Sequence, residues 1–275
     1  MPAHVLVRPV GRVTPAPQRA MGHPERVLRV AGREDLAFSA FETIERHADG
    51  WVERRLVSLD DLFGLSRSGE AAPRYKALLE RLAQPRGDIA GLPLDRPRIM
   101  GIINVTPDSF SDGGRHLAPG AAIQHALELE AAGAEILDVG GESTRPGSEA
   151  VHVDVELRRV MPVLEGLVGR TRARLSVDTR KPEVMRRAAA AGAHILNDVT
   201  ALTFDPASLR IAAETGLSII LMHSQGDPRT MQVNPTYSDV VLDVAIALEE
   251  RVEACVRAGI PRTRLIVDPG IGFGK

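Results

Sequence analysis

Six apolar runs in this 275-residue chain each end in a side chain that can carry charge or hydrogen-bond: Asn104, Asp138, Asp178, Asn197 with Asp198, His223 and Asp268. Carboxylates and amides gathered on one cavity offer acceptors to a ligand rich in N–H groups. Left unpaired in a buried site, each would cost about 1–3 kcal/mol. Any one of them could cap a helix, but six in register are hard to explain as caps alone. The change is sharpest at Asn104. Ile99-Met100-Gly101-Ile102-Ile103 reads as a buried strand. Asn104-Val105-Thr106-Pro107-Asp108-Ser109-Phe110-Ser111-Asp112-Gly113-Gly114 then has the composition of a polar loop. A buried strand that releases an amide and two carboxylates from its C-terminal end is how α/β proteins build active sites.

The elements that must position these groups repeat from Arg98 onward: apolar strand, polar tip, loop, helix, glycine, next strand. Strands are expected near 98–105, 134–140, 173–178, 194–199, 217–223 and 264–269. The helices between are amphipathic, with Ile123, Ala126 and Leu127 on one face, and Val184, Met185 and Ala188 on another. Val241, Val244, Ala245, Leu248, Val252 and Cys255 mark a longer stripe. Gly133, Gly192, Gly216 and Gly259 each follow a helix, where a left-handed residue reverses the chain. Strands alternating with helices imply parallel pairing through right-handed crossovers.

Residues 1–95 differ in character and read as a small α+β extension of unknown role, joined by a Pro-rich connector at 91–97. Val5-Leu6-Val7 and Val27–Val30 suggest short strands, Phe41–His47 a helical turn or two, Ser58 a helix cap, and Tyr75–Ala83 a short helix. No catalytic constellation is evident there.

Composition bounds the rest. A hydrophobic content of 44% with 25% charged residues suits a barrel-sized globular domain plus a small appendage. A formal net charge of −2 gives no electrostatic argument for nucleic acid or an anionic membrane. The single Cys255 excludes an intrachain disulfide, suits a reducing compartment, and falls on an apolar helical stripe. No stretch approaches the roughly 20 apolar residues that span a bilayer, so a cytoplasmic protein is expected. Gly270-Ile271-Gly272-Phe273-Gly274-Lys275 imitates a phosphate loop, but its spacing fails the nucleotide motifs. There is no Gly-x-Ser-x-Gly elbow, and the histidines lack metal-ligand spacing.

The loop from Asn104 to Gly114 resembles the first signature of the dihydropteroate synthase family of pterin-binding enzymes. Asp138-Val139-Gly140-Gly141-Glu142-Ser143-Thr144-Arg145-Pro146-Gly147 resembles the second. Ser176–Thr179, Ile195–Asp198, Leu221–His223 and Asp268–Gly270 follow in family order, so the resemblance covers residues 97–275 and leaves 1–95 untouched. It implies a (β/α)8 barrel of TIM type, here with about six of its strands, over residues 96–275. It implies condensation of dihydropterin-6-ylmethyl diphosphate with p-aminobenzoate, a folate-pathway transferase reaction that sulfonamides target.

By that resemblance Asp178, Asn197 and Asp268 read the pterin edge, Met222 packs on the ring, and Phe273 joins the substrate-binding set. Asn104 and Asp112 correspond to the residues that gather Mg²⁺ and diphosphate, an oxygen set of the kind Mg²⁺ accepts. Thr144 and Arg145 match the second loop, suited to diphosphate and to the carboxylate of p-aminobenzoate. Phe110 and Pro146 match the residues that enclose the arylamine. Asn104, Thr144, Arg145 and Asp178 are the implied catalytic group, and a homodimer is implied for the full-length protein. The Ser-Arg-Lys and Arg-x-His segments of the family's seventh and eighth strands do not occur before Lys275, which reads as a fragment or a truncated chain. A folate-type methyltransferase barrel and an inactive pterin-binding or interaction protein stay open as alternatives.

Overall fold

A computed structural model describes residues 2–13, 26–106, 119–143, 150–226 and 232–275. The chain divides into two compact units, Met1–Gly87 and Asp88–Lys275. In the first, β1 (Pro2–Val13), β2 (Leu28–Arg29), β3 (Ala37–His47) and β4 (Val52–Ser58) form an antiparallel sheet with β3 paired to the other three. Helices α1 (Leu59–Leu65) and α2 (Ala72–Ala83) complete it. Ser58 caps α1 by a reciprocal capping box with Asp61. Val7, Phe41, Leu59, Leu62, Tyr75 and Leu79 form the core of this unit.

The stretch Phe41–His47, expected as a helical turn, is a strand. Phe41, Thr43, Ile44 and Glu45 are all buried, and partners on both sides satisfy the backbone. That pairing overrides the local helix preference of its Glu and Arg residues. The buried Glu45 carboxylate is held by the Tyr75 hydroxyl and by Arg55. The strand at Val52–Ser58 escapes a reading of the sequence, because its Glu-Arg-Arg run masks the alternation.

In the second unit β5 (Met100–Asn104), β6 (Ile136–Gly140), β7 (Arg174–Asp178), β8 (Ile195–Asp198), β9 (Ser218–Met222) and β10 (Leu265–Asp268) lie side by side in chain order, all parallel. The connecting helices are α3 (Pro119–Ala131), α4 (Val153–Leu167), α5 (Pro182–Ala190), α6 (Ser208–Thr215) and α7 (Val240–Arg257). This is the βα repeat of a TIM-type barrel. Gly133, Gly192, Gly216 and Gly259 all take positive φ, as the chain reversals require. Residues 88–95, read from sequence as part of the extension, belong to this unit. The Ile89–Leu92 turn seats Ala90 and Leu92 on Ile136, Ile195 and Ile220.

Strand alternation gives the sheet two apolar faces. Ile103, Leu137, Val139, Leu175, Val177, Leu196, Ile219 and Leu221 pack against the helices, joined by Cys255. Met100, Ile136, Ile195, Ile220 and Ile266 line the other face. On α7 the buried stripe begins at Leu242 rather than the expected Val241.

Candidate active site

The inner face that carries Ile136, Ile195, Ile220 and Ile266 changes character two residues further along each strand. Period-two alternation places Asp138, Asn197, Met222 and Asp268 directly above those isoleucines. Cross-strand register aligns Asn104, Gly140, Asp178 and Asn197 in one lateral row, and pairs Met222 with Asp268. Gly140 has no side chain, and a Cβ there would lie 3.4 Å from Asp178 Oδ2, so the Asp178 carboxylate occupies the space above it.

Asp138 is only 3% exposed. Its Oδ2 accepts a 2.9 Å hydrogen bond from Asn197 Nδ2. Its Oδ1 has no hydrogen-bond partner among the described residues. Burial pushes the Asp138 carboxyl above the usual range. Asp178 is raised well above its ordinary value, first by burial and then by the negative charges of Asp138, Asp198, Glu156 and Glu142.

A buried ion-pair network fixes the start of the β6 and β7 loops. Glu142 pairs with Arg180 through two contacts of 2.9 and 3.0 Å and with Lys181 at 2.9 Å, and accepts the Val151 amide at 3.0 Å. Lys181 also reaches Glu156 on α4, which is wholly buried and takes the Thr179 hydroxyl as well. Burial alone would raise the Glu142 carboxyl, but Arg180 and Lys181 outweigh it and hold it below the usual range. Arg180 also lies 4.2 Å over the Phe204 ring, a cation–π contact.

After β8 the buried Asp198 accepts from the Thr200 amide and hydroxyl, both at 2.7 Å, and from the Leu202 amide at 3.1 Å. These bonds stabilise two consecutive residues of positive φ, Ala201 and Leu202, a backbone that persists only where its surroundings hold it. Asp198 is therefore the builder of its loop. Beyond β10, Asp268 Oδ1 accepts the Gly270 amide at 2.7 Å. Gly270, also at positive φ, could not carry a side chain, since a Cβ would come within 2.1 Å of the His223 carbonyl oxygen. Lys275 Nζ donates to the carbonyls of Gly270 (2.8 Å), His223 (3.0 Å) and Phe273 (3.0 Å), tying the β9 and β10 loops together. Phe273 is half-buried in the same loop. Burial and the Lys275 charge lower the His223 imidazole pKa.

Of the residues singled out from sequence, Asn104, Asp178, Asn197, Met222, Asp268 and Phe273 lie at or just beyond the C-terminal strand ends. Phe110, Asp112, Thr144, Arg145 and Pro146 lie outside the described residues. Asn104 is exposed at the end of β5. Among the described residues the one His/Asp/Glu cluster with metal-binding spacing is Glu45, His47 and Glu53 in the first unit, where Arg55 pairs with both glutamates. The Glu142–Arg180–Lys181–Glu156 network and the Lys275 clasp escape a reading of the sequence. Arg180-Lys181 directly after Asp178-Thr179 is the available signal for the first.

A parallel βα repeat with carboxylates and an amide at its C-terminal strand ends is the arrangement in which TIM-type barrels build their sites. The family model for pterin binding enzymes matches residues 100–275, and the chain belongs to that family. Dihydropteroate synthase from Escherichia coli strain K12 is 53% identical over 184 residues, covering 67% of this chain and 65% of that protein. The Xanthomonas albilineans dihydropteroate synthase solved with 4-aminobenzoic acid superposes with TM-score 0.64 at 56% identity, over 70% of this chain and 68% of that one. The same organism's enzyme in complex with 7,8-dihydropteroate gives TM-score 0.61 at 52% identity, over 70% and 68% of the two chains. The chain thus spans about two thirds of the length of the curated relatives it matches. Among the described residues, no helix is long and apolar enough to cross a membrane.

Proposed function

We propose that the protein is a dihydropteroate synthase, joining a dihydropterin-6-ylmethyl diphosphate to p-aminobenzoate with release of diphosphate. The observation that carries this reading is the acceptor set on the inner face: Asp178 and Asn197 as cross-strand neighbours, with Asp268 beside Met222 on the adjoining strands. A 2-amino-4-oxo ring edge brings the N–H donors that such carboxylates lack, and the Met222 side chain suits a flat ring. The relatives' complexes with 4-aminobenzoic acid and with 7,8-dihydropteroate, one substrate and the product of this reaction, support the same reading.

The reaction proceeds by loss of diphosphate from the pterin methylene, with electron release from the ring, and attack by the arylamine nitrogen, which then sheds a proton. This chain's residues contribute binding and orientation rather than a covalent intermediate. Mg²⁺ would neutralise charge on the diphosphate. The exposed Asn104 amide oxygen is a hard donor of the kind that ion takes, and Asp112 is its proposed companion. Thr144 and Arg145 are proposed to hold the anionic groups, with Phe110 and Pro146 around the arylamine and Phe273 in the substrate-binding set. A homodimer is part of the same reading, and sedimentation analysis tests it.

The test is formation of 7,8-dihydropteroate by the natural full-length protein, with calorimetric titration of a pterin alone. Binding and product formation support the reading, and a protein that binds pterin but forms no product is a binding protein instead. Asn104→Ala should weaken the diphosphate substrate and slow turnover while pterin affinity without diphosphate holds. Equal loss for both ligands would assign Asn104 to folding.

A further inference from the structure

Asp138 has no assigned part in ligand recognition, yet it is the partner that fixes Asn197. An amide side chain has two faces of opposite hydrogen-bonding sense, and rotation by half a turn about its last bond exchanges them. Asp138 Oδ2 accepts from Asn197 Nδ2 at 2.9 Å. In its ionised form the Asp138 carboxylate only accepts, so the amide nitrogen faces it, and presenting Asn197 Oδ1 there would set two acceptors against each other. The carboxyl is 3% exposed and sits on β6, two residues below Gly140, so water cannot substitute as an alternative partner at low cost. No other hydrogen bond to the Asn197 side chain occurs among the described residues. Its Oδ1 and second N–H are therefore left for a ligand, in one fixed order.

We propose that Asp138 is a positioning residue that holds the Asn197 amide in one orientation, and thereby selects a heterocycle with an exocyclic amino group over one with an oxo group at that place. The inference rests on the pterin reading of the site. With the amide fixed, Oδ1 accepts from the amino group and the remaining N–H meets the adjacent ring nitrogen. An oxo group at that position faces Oδ1 as a second acceptor. Without the constraint, the amide turns over and accommodates either.

The experiment titrates the natural full-length protein, Asp138→Asn and Asp138→Ser with a 2-amino-4-oxopteridine and with its 2,4-dioxo counterpart. The parent should favour the amino compound, and both variants should lose about tenfold of that preference, the worth of one misdirected hydrogen bond. Asparagine and serine can each donate or accept, so neither dictates the amide's direction, and serine serves should the asparagine variant fold poorly. A merely structural role for Asp138 would weaken both ligands together and leave the ratio unchanged, which overturns the proposal. A parent protein that binds neither heterocycle overturns the pterin reading and this inference with it. A parent that binds the amino compound while the variants keep its full preference overturns the inference alone.

Discussion

Asp178 is where the electrostatic cost of the site concentrates. Burial, then Asp138, Asp198, Glu156 and Glu142, raise its carboxyl well above the ordinary range. A group in that position keeps its proton in the folded chain at pH values where the unfolded chain has lost it. Its penalty on stability is absent below the unfolded carboxyl value of about 3.9, grows as pH rises through the raised value, and is complete above it. Asp178→Asn should therefore melt at a higher temperature than the parent at pH 8, with the gain closing as pH falls towards 4. Calorimetric melts at pH 4, 6 and 8 measure this, and a gain that ignores pH would mean the effect is not electrostatic. Asp268 offers the complementary case. Its Oδ1 is anchored by the Gly270 amide, a bond that an asparagine oxygen can keep, so Asp268→Asn removes charge rather than loop structure. Pterin affinity should fall by about 1.5–3 kcal/mol, the scale of a hydrogen bond to a charged group, and titration showing no change would remove Asp268 from the binding set. The tips Asn104, Asp178, Asn197 and Asp268 are readable in the sequence because each closes an apolar run. The pairing of Asp138 with Asn197 is not, because it joins residues 59 apart across three strands.

The strands and helices of the second unit are legible because each obeys a single period, with glycine following most of the helices. The connections between them are not, since they depend on partners distant in sequence. Lys181 shows the consequence. Its ammonium bridges Glu142 and the wholly buried Glu156, joining the β6 loop, α4 and the start of α5. Lys181→Met leaves Glu156 as a buried charge without its cation, a change that typically costs about 3–5 kcal/mol. The double variant Lys181→Met with Glu156→Gln should recover much of that loss, because the charge that needed the lysine is gone. Urea unfolding of the parent, both single variants and the double variant closes the cycle. Additive losses would show that the two side chains do not depend on each other.

At the scale of the whole molecule, the repeat from Arg98 declares a barrel-type α/β fold, whereas Met1–Gly87 hides a four-stranded sheet behind charged strands. In that unit Glu42, paired with Arg8 and Arg54, and Glu45, paired with Arg55, are interspersed with apolar residues, so the hydrophobic period is blurred and cross-strand pairing decides the structure. The six parallel strands raise a different matter. Among the described residues β5 and β10 have one strand neighbour each, and both carry exposed apolar side chains, Ile102 at 51% and Val267 at 49%. Ile102 lies on the inner face, in register with Asp138, while Val267 lies on the helix-packed face, in register with Leu221. Open parallel edges with apolar side chains on both faces are templates for association. The protein should therefore self-associate through these edges, as light scattering over a range of concentrations measures. Ile102→Thr with Val267→Thr should reduce that association, and a monomeric, sharply melting protein would show that these edges are already protected.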